Sequence, residues 1–128
     1  MTKTIKIATY NANSIRTRLE QIVSWLDEKG VDVLCVQETK VQDEDFPADT
    51  FTEAGLHVEF SGQKAHAGVA IISGEALEDV SCGLDDEGPA DCPRLIRGTA
   101  QGIHIINAYV PQGRTIDHEM FAYKLEWL

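Results

Sequence analysis

Val31-Asp32-Val33-Leu34-Cys35-Val36-Gln37-Glu38-Thr39-Lys40 sets an apolar run directly against a polar tetrapeptide. The run 31–36 is short and rich in valine, the pattern of a strand covered on both faces. Upstream, TIKIATY (4–10) alternates, with Ile5 and Ile7 on one face, and reads as another strand. Between the two, Thr17 and Glu20 stand at capping-box spacing. Leu19, Ile22, Val23 and Leu26 then recur at helical intervals before Gly30, the residue type that ends helices in a left-handed cap. Strand, helix and strand within about 30 residues make a βαβ unit, so the strands are expected to be parallel, with a right-handed crossover. The carboxyl ends of both strands then share one edge of the sheet, where open α/β sheets place their chemistry. Asn11 ends the first strand and Glu38 follows the second.

Beyond Lys40 the pattern is mostly strands. An acidic, irregular stretch with one helical turn at 46–51 leads to strands at 57–61 and 69–73, around a Gly-containing loop at 62–68. A weaker strand is read at 80–84. Residues 95–100 and 103–110 flank Gln101-Gly102 as a hairpin, and Pro111-Gln112-Gly113 ends the last strand. Residues 121–128 begin an amphipathic helix. The expectation is an α/β chain with one mixed β-sheet and flanking helices. One sheet face needs a further layer, and the final helix stops without a cap. Residues 1–128 are therefore expected to be the N-terminal part of a larger domain, cut inside an element.

Composition narrows the class. Eleven basic against 21 acidic residues leave a formal charge of −10, which argues against tight non-specific nucleic-acid binding but not against a local basic patch. Asp43-Glu44-Asp45, and Asp85-Asp86-Glu87 with Asp91, read as solvated loops. The longest apolar run, VLCV, is far below the ~20 residues a membrane helix needs. The N-terminus lacks the apolar core of a signal peptide. Cys35, Cys82 and Cys92 are odd in number and lack metal-knuckle spacing, and Cys35 reads as a small apolar residue in a strand. A cytoplasmic location and no membrane partner follow as expectations.

Several residues admit two readings. Glu38 is either an exposed residue at a loop start or a ligand for a hard cation, which commonly takes one or two carboxylates with waters and substrate phosphate. Asn13 suits a turn. Asn11, expected beside Glu38, can supply an uncharged oxygen or orient a metal-bound water. Tyr109 shares a strand face with Ile103, Ile105 and Asn107, and is either a core aromatic or a hydroxyl reaching a phosphate from the strand end. Arg94 and Arg97 are edge charges, unless a guanidinium near the site recognises phosphate. Lys64 and His66 sit in what an ordinary hairpin tip explains equally well. Asp117-His118 reads as a loop without chemistry, and His57 and His104 as strand-surface residues.

ATYNANSIR (8–16), VDVLCVQETK (31–40), GQKAHAGVAII (62–72), PRLIR (93–97) and INAYVPQG (106–113), in that order, resemble the N-terminal half of the exonuclease III family. These bacterial apurinic/apyrimidinic endonucleases belong to the endonuclease–exonuclease–phosphatase superfamily. The resemblance implies a four-layer α/β sandwich in the complete fold. It also implies Mg²⁺-dependent (alternatively Mn²⁺-dependent) hydrolysis of phosphodiesters in double-stranded DNA, at abasic sites and 3′ ends, by a protein monomeric when complete. Glu38 and Asn11 match the family's metal-site residues and Tyr109 its catalytic tyrosine at the scissile phosphate. Arg94 resembles an arginine on the DNA-facing side. Lys64, His66 and Gln112, in loops bordering the DNA groove, are with Asn13 the further DNA-binding candidates.

The family's Gly-Asp-x-Asn and Ser-Asp-His segments do not occur in these 128 residues, and Asp117-His118 does not replace the latter. The isolated chain is accordingly expected to be inactive. Two rivals remain at this stage: a phosphoesterase of the same fold acting on RNA or phosphoinositides, and a non-catalytic remnant that binds DNA or a partner.

Overall fold

The computed structural model describes residues 4–63, 66–83 and 94–110, with the backbone alone at 63 and 66. The opening βαβ unit comprises β1 (Ile7–Asn11), α1 (Ile15–Lys29) and β2 (Val33–Gln37). β1 and β2 pair in parallel, with Ile7 opposite Val33 and Asn11 opposite Gln37. α1 buries Ile15, Ile22 and Leu26 on one stripe. Gly30 caps it at φ 61°, its N–H donating to the Leu26 carbonyl. The helix begins earlier than the capping-box spacing implied. Thr17 lies inside the first turn, and its hydroxyl donates back to the Ser14 carbonyl at 3.1 Å instead of capping the end.

A single 3₁₀ turn (Asp43–Asp45), solvent-exposed as its acidity demands, precedes α2 (Ala48–Glu53). β3 (His57–Gln63) and β4 (His66–Ser73) form an antiparallel pair, and the loop expected between them is mostly strand. β5 (Glu78–Cys82), β6 (Leu95–Ala100) and β7 (Ile103–Ala108) follow. Gln101 and Gly102 both take positive φ, 51° and 79°, as a tight two-residue hairpin requires. His57 and His104 are exposed on their strands, as expected.

The α/β class is as the sequence implies, but the strands divide between two sheets, where one mixed sheet was expected. One is mixed, in the order β1-β2-β4-β3; the other is antiparallel, β5-β6-β7. The physical reason lies in β2, whose residues 33–36 are all buried. Leu34 and Val36 join Ile15, Ile22, Leu26, Phe51 and Ile72 in the layer under the helices. Val33 and Cys35 face the other way and join Val69, Ile71, Ile96, Ala100 and Ile105 between the sheets. Each such side chain contributes roughly 1.5–3 kcal/mol on full burial, so both faces of β2 demand cover. The second sheet supplies it on one side.

Among the described residues no helix is long and apolar enough to cross a membrane. The expected helix at 121–128, the Asp117-His118 loop, Cys92 and the acidic stretch 85–91 lie outside the described residues, as do Lys64 and Gln112 and the side chain of His66.

Candidate active site

The carboxyl ends of β1 and β2 are laced together by backbone hydrogen bonds. Ala12 N–H donates to Gln37 O at 2.9 Å, Ser14 N–H to Glu38 O at 2.9 Å and Ile15 N–H to Thr39 O at 3.0 Å. On the other side, Thr39 N–H donates to Gly68 O at 3.2 Å and Lys40 N–H to Ala67 O at 2.9 Å. These bonds hold a cluster of left-handed residues: Asn13 (φ 46°), Ser14 (95°), Glu38 (55°), Lys40 (55°) and Ala67 (46°). Non-glycine residues in that region cost of order 1–3 kcal/mol each and persist where surrounding bonds over-determine them. At this rim the chain departs from the strand direction, and Glu38 is re-aimed.

The Glu38 carboxylate meets β7's end. Tyr109 Oη donates to Glu38 Oε1 at 2.9 Å, bridging the two sheets. Arg94 stacks its guanidinium over the Tyr109 ring, 5.0 Å from the centroid, and its carbonyl accepts Tyr109 N–H at 2.7 Å. Burial raises the Tyr109 phenol above its usual 10.0. The hydrogen bond to Glu38 and its negative charge add to that rise, against a smaller opposing pull from Arg94. The phenol is thus held protonated, a donor at neutral pH.

On the β1 side, Asn11 Oδ1 accepts Asn13 N–H at 3.1 Å, an Asx turn that leaves the oxygen's second lone pair free. Asn13 Oδ1 in turn accepts Lys40 Nζ at 2.6 Å. Glu38, Asn11, Asn13, Tyr109 and Arg94 therefore lie along one rim, as the register places them.

Three residues of this rim carry no role in the sequence reading. Asn107, 2% exposed, binds across to β2 and β4 through its side chain. Gln37 Nε2 donates to Asn107 Oδ1 at 2.7 Å and to Thr9 Oγ1 at 2.9 Å. Thr39 is fully buried, with its hydroxyl unpartnered among the described residues. Asn107 did leave a signal: an asparagine on the apolar face that carries Ile105 must find buried partners.

Among the described residues no cluster of three or more His, Cys, Asp or Glu side chains can cage a metal. What the rim offers is one carboxylate oxygen and one amide oxygen. That set fits a hard divalent cation of the Mg²⁺ type, which keeps several waters and takes few protein ligands beside phosphate oxygens. It does not fit a thiophilic ion or a closed structural site.

Residues 8–127 match the pattern of the Endonuclease/Exonuclease/phosphatase family. Exodeoxyribonuclease III of Haemophilus influenzae is 31% identical over 119 residues, which make up 90% of this chain and 45% of the relative. An exodeoxyribonuclease of Bacillus subtilis is 24% identical over 96% of this chain and 49% of its own length. Among solved structures, an AP endonuclease from Archaeoglobus fulgidus superposes with a TM-score of 0.92 at 55% identity, covering 97% of this chain and 48% of that one. NExo, a 3′ phosphatase from Neisseria bound to a product DNA hairpin, gives 0.90 at 37% identity, over 97% and 48%. The chain spans about half the length of the curated relatives it matches. It belongs to the endonuclease/exonuclease/phosphatase family, and is similar to exodeoxyribonuclease III and AP endonuclease chains across that half.

Proposed function

We propose that this chain is the N-terminal portion of an exonuclease III-like DNA repair nuclease. The reaction is Mg²⁺-dependent hydrolysis of phosphodiesters in double-stranded DNA, at abasic sites and 3′ ends, in the cytoplasm and by a protein monomeric when complete. The observation that carries this reading is the 2.9 Å hydrogen bond from Tyr109 Oη to Glu38 Oε1. It brings a phenol donor and a carboxylate from different sheets to one point on the rim. The relatives, nucleases and a DNA-bound phosphatase, support DNA as the substrate class.

In this reading Glu38 and Asn11 hold the divalent cation through oxygen atoms. When bound, the cation supplies Lewis-acid stabilisation of charge on the phosphate and the leaving oxygen. Tyr109 keeps its proton and donates to a non-bridging phosphate oxygen, exchanging its bond to Glu38 for one to substrate. Arg94 keeps the Tyr109 ring in place by stacking and adds positive charge to an otherwise acidic protein, where phosphate arrives. Asn13, held by Lys40, contacts the DNA backbone beside Asn11, with Lys64, His66 and Gln112 as further contacts.

The 128 residues lack the Gly-Asp-x-Asn and Ser-Asp-His segments that orient the attacking water in the family. Loss of a general base alone slows such reactions by ~10²–10⁴, so we propose that the isolated chain turns over little or no DNA. The test is cation binding. Water-proton relaxation should detect Mn²⁺ on the folded chain, and Glu38→Ala should weaken that binding at least tenfold without unfolding it. Equal Mn²⁺ affinity in the two proteins would remove the reading, as would incision of an abasic-site duplex by the isolated chain in the absence of any divalent cation.

A further inference from the structure

Asn107 is a polar residue inserted where the two sheets meet, and every hydrogen-bonding group of its side chain is used. Oδ1 accepts Gln37 Nε2 at 2.7 Å, while Nδ2 donates to Val36 O at 2.9 Å and to Ala70 O at 2.8 Å. Val36 and Ala70 are themselves cross-strand partners in the mixed sheet. One carboxamide from β7 therefore clamps both strands of the facing pair.

The neighbours of Asn107 do not specify register. Val33, Cys35, Val69, Ile71, Ile96 and Ile105 form an apolar layer between the sheets, and a small slide of one sheet over the other keeps it apolar. The carboxamide tolerates no such slide, because moving it would leave the buried amide of Asn107 without its partners. Tyr109 stands two residues beyond Asn107, and Glu38 two residues beyond Val36. The separation in sequence is the same for both bonded pairs, 71 residues. A clamp at the first pair sets the second.

We propose that Asn107 is a positioning residue. By locking β7 to β2 and β4 through the Gln37, Val36 and Ala70 bonds, it fixes the distance at which the Tyr109 hydroxyl meets the Glu38 carboxylate. The catalytic meaning of that contact rests on the function proposed above, whereas the positioning itself is a property of the fold.

The experiment uses the whole 128-residue chain with ¹³C-labelled tyrosine. Tyr109→Phe assigns the Tyr109 ring resonances, and Glu38→Ala gives their position once the contact is lost. In Asn107→Leu, a near-isosteric replacement that leaves the interface apolar, the Tyr109 resonances should move to the Glu38→Ala position while the α1 amide resonances stay in place. Mn²⁺ affinity should fall about tenfold, as happens when residues that orient metal ligands are replaced. A folded Asn107→Leu chain with unmoved Tyr109 resonances overturns the proposal. If Asn107→Leu does not fold, Gln37→Met decides. It keeps the two carbonyl bonds and removes the link from Asn107 to the residue before Glu38, together with the Gln37 bond to Thr9 on β1, which Thr9→Val removes by itself. The Tyr109 resonances should shift part-way in Gln37→Met and stay in place in Thr9→Val, and no shift in Gln37→Met overturns the proposal. If the parent chain binds no Mn²⁺, the metal reading falls and the tyrosine resonances alone judge Asn107.

Discussion

Gly68 sits at φ 92°, and a Cβ placed there would run into the Thr39 hydroxyl and crowd the Lys40 backbone nitrogen at 3.2 Å. Thr39 cannot yield. It is fully buried, its N–H is held by the Gly68 carbonyl, and its own carbonyl accepts Ile15 N–H. The contact lies under the turn that aims Glu38, between two residues that share its left-handed backbone. Gly68→Ala therefore combines backbone strain with overpacking against a rigid neighbour, and should destabilise the chain by about 2–4 kcal/mol. Thr39→Val is the companion experiment. It removes a buried hydroxyl that has no partner among the described residues while keeping the shape, so stability should hold or rise by up to ~1 kcal/mol. Urea unfolding of both variants checks the pair. A neutral Gly68→Ala would mean that the turn beneath Glu38 is not tightly packed.

At the scale of elements the same residue type behaves differently. Gly30 closes α1 at φ 61°, yet a Cβ there would find nothing within 4 Å. Gly30→Ala should cost only the backbone term, about 1 kcal/mol, readable as a lower urea midpoint with an unchanged slope. A loss above 3 kcal/mol would show that the cap does more than end the helix. This cap was legible in the sequence because its cause is local, as were the all-buried β2 and the β6–β7 hairpin. The division into two sheets was not. Alternation reveals which face of a strand is apolar, but not which strand will pair with it. Residues 31–36 demanded cover on both sides without naming a second sheet as one cover. The partners of Asn107 were hidden for a similar reason, since Val36 and Gln37 lie some seventy positions away in the chain. Glu38, Asn11 and Tyr109 were legible as strand-end residues. The left-handed turn that presents Glu38 was not, because glutamate carries no preference for that conformation.

For the molecule as a whole, the layer between the sheets ties stability to pH. Cys35 lies in that layer, 7% exposed, and burial pushes its thiol from 9.0 up to about 11. The unfolded chain releases the proton near 9.0, while the folded chain holds it until about 11. Between those values the folded state binds more protons than the unfolded one, so stability falls as pH rises. Below pH 9 the contribution is fully present. By pH 10.5 the loss from this group is about 2 kcal/mol, and Tyr109, also shifted upward, loses stability in the same direction. A second effect runs alongside: a chain of formal charge −10 repels itself more strongly as its net negative charge grows with pH. Comparison with Cys35→Ala separates the two, because the repulsion is common to both proteins and the thiol is not. Urea unfolding at pH 8 and pH 10.5 should show the parent chain losing about 2 kcal/mol more than Cys35→Ala across that interval. Equal losses would mean that the Cys35 thiol meets water in the folded state, and that the two sheets do not close over it.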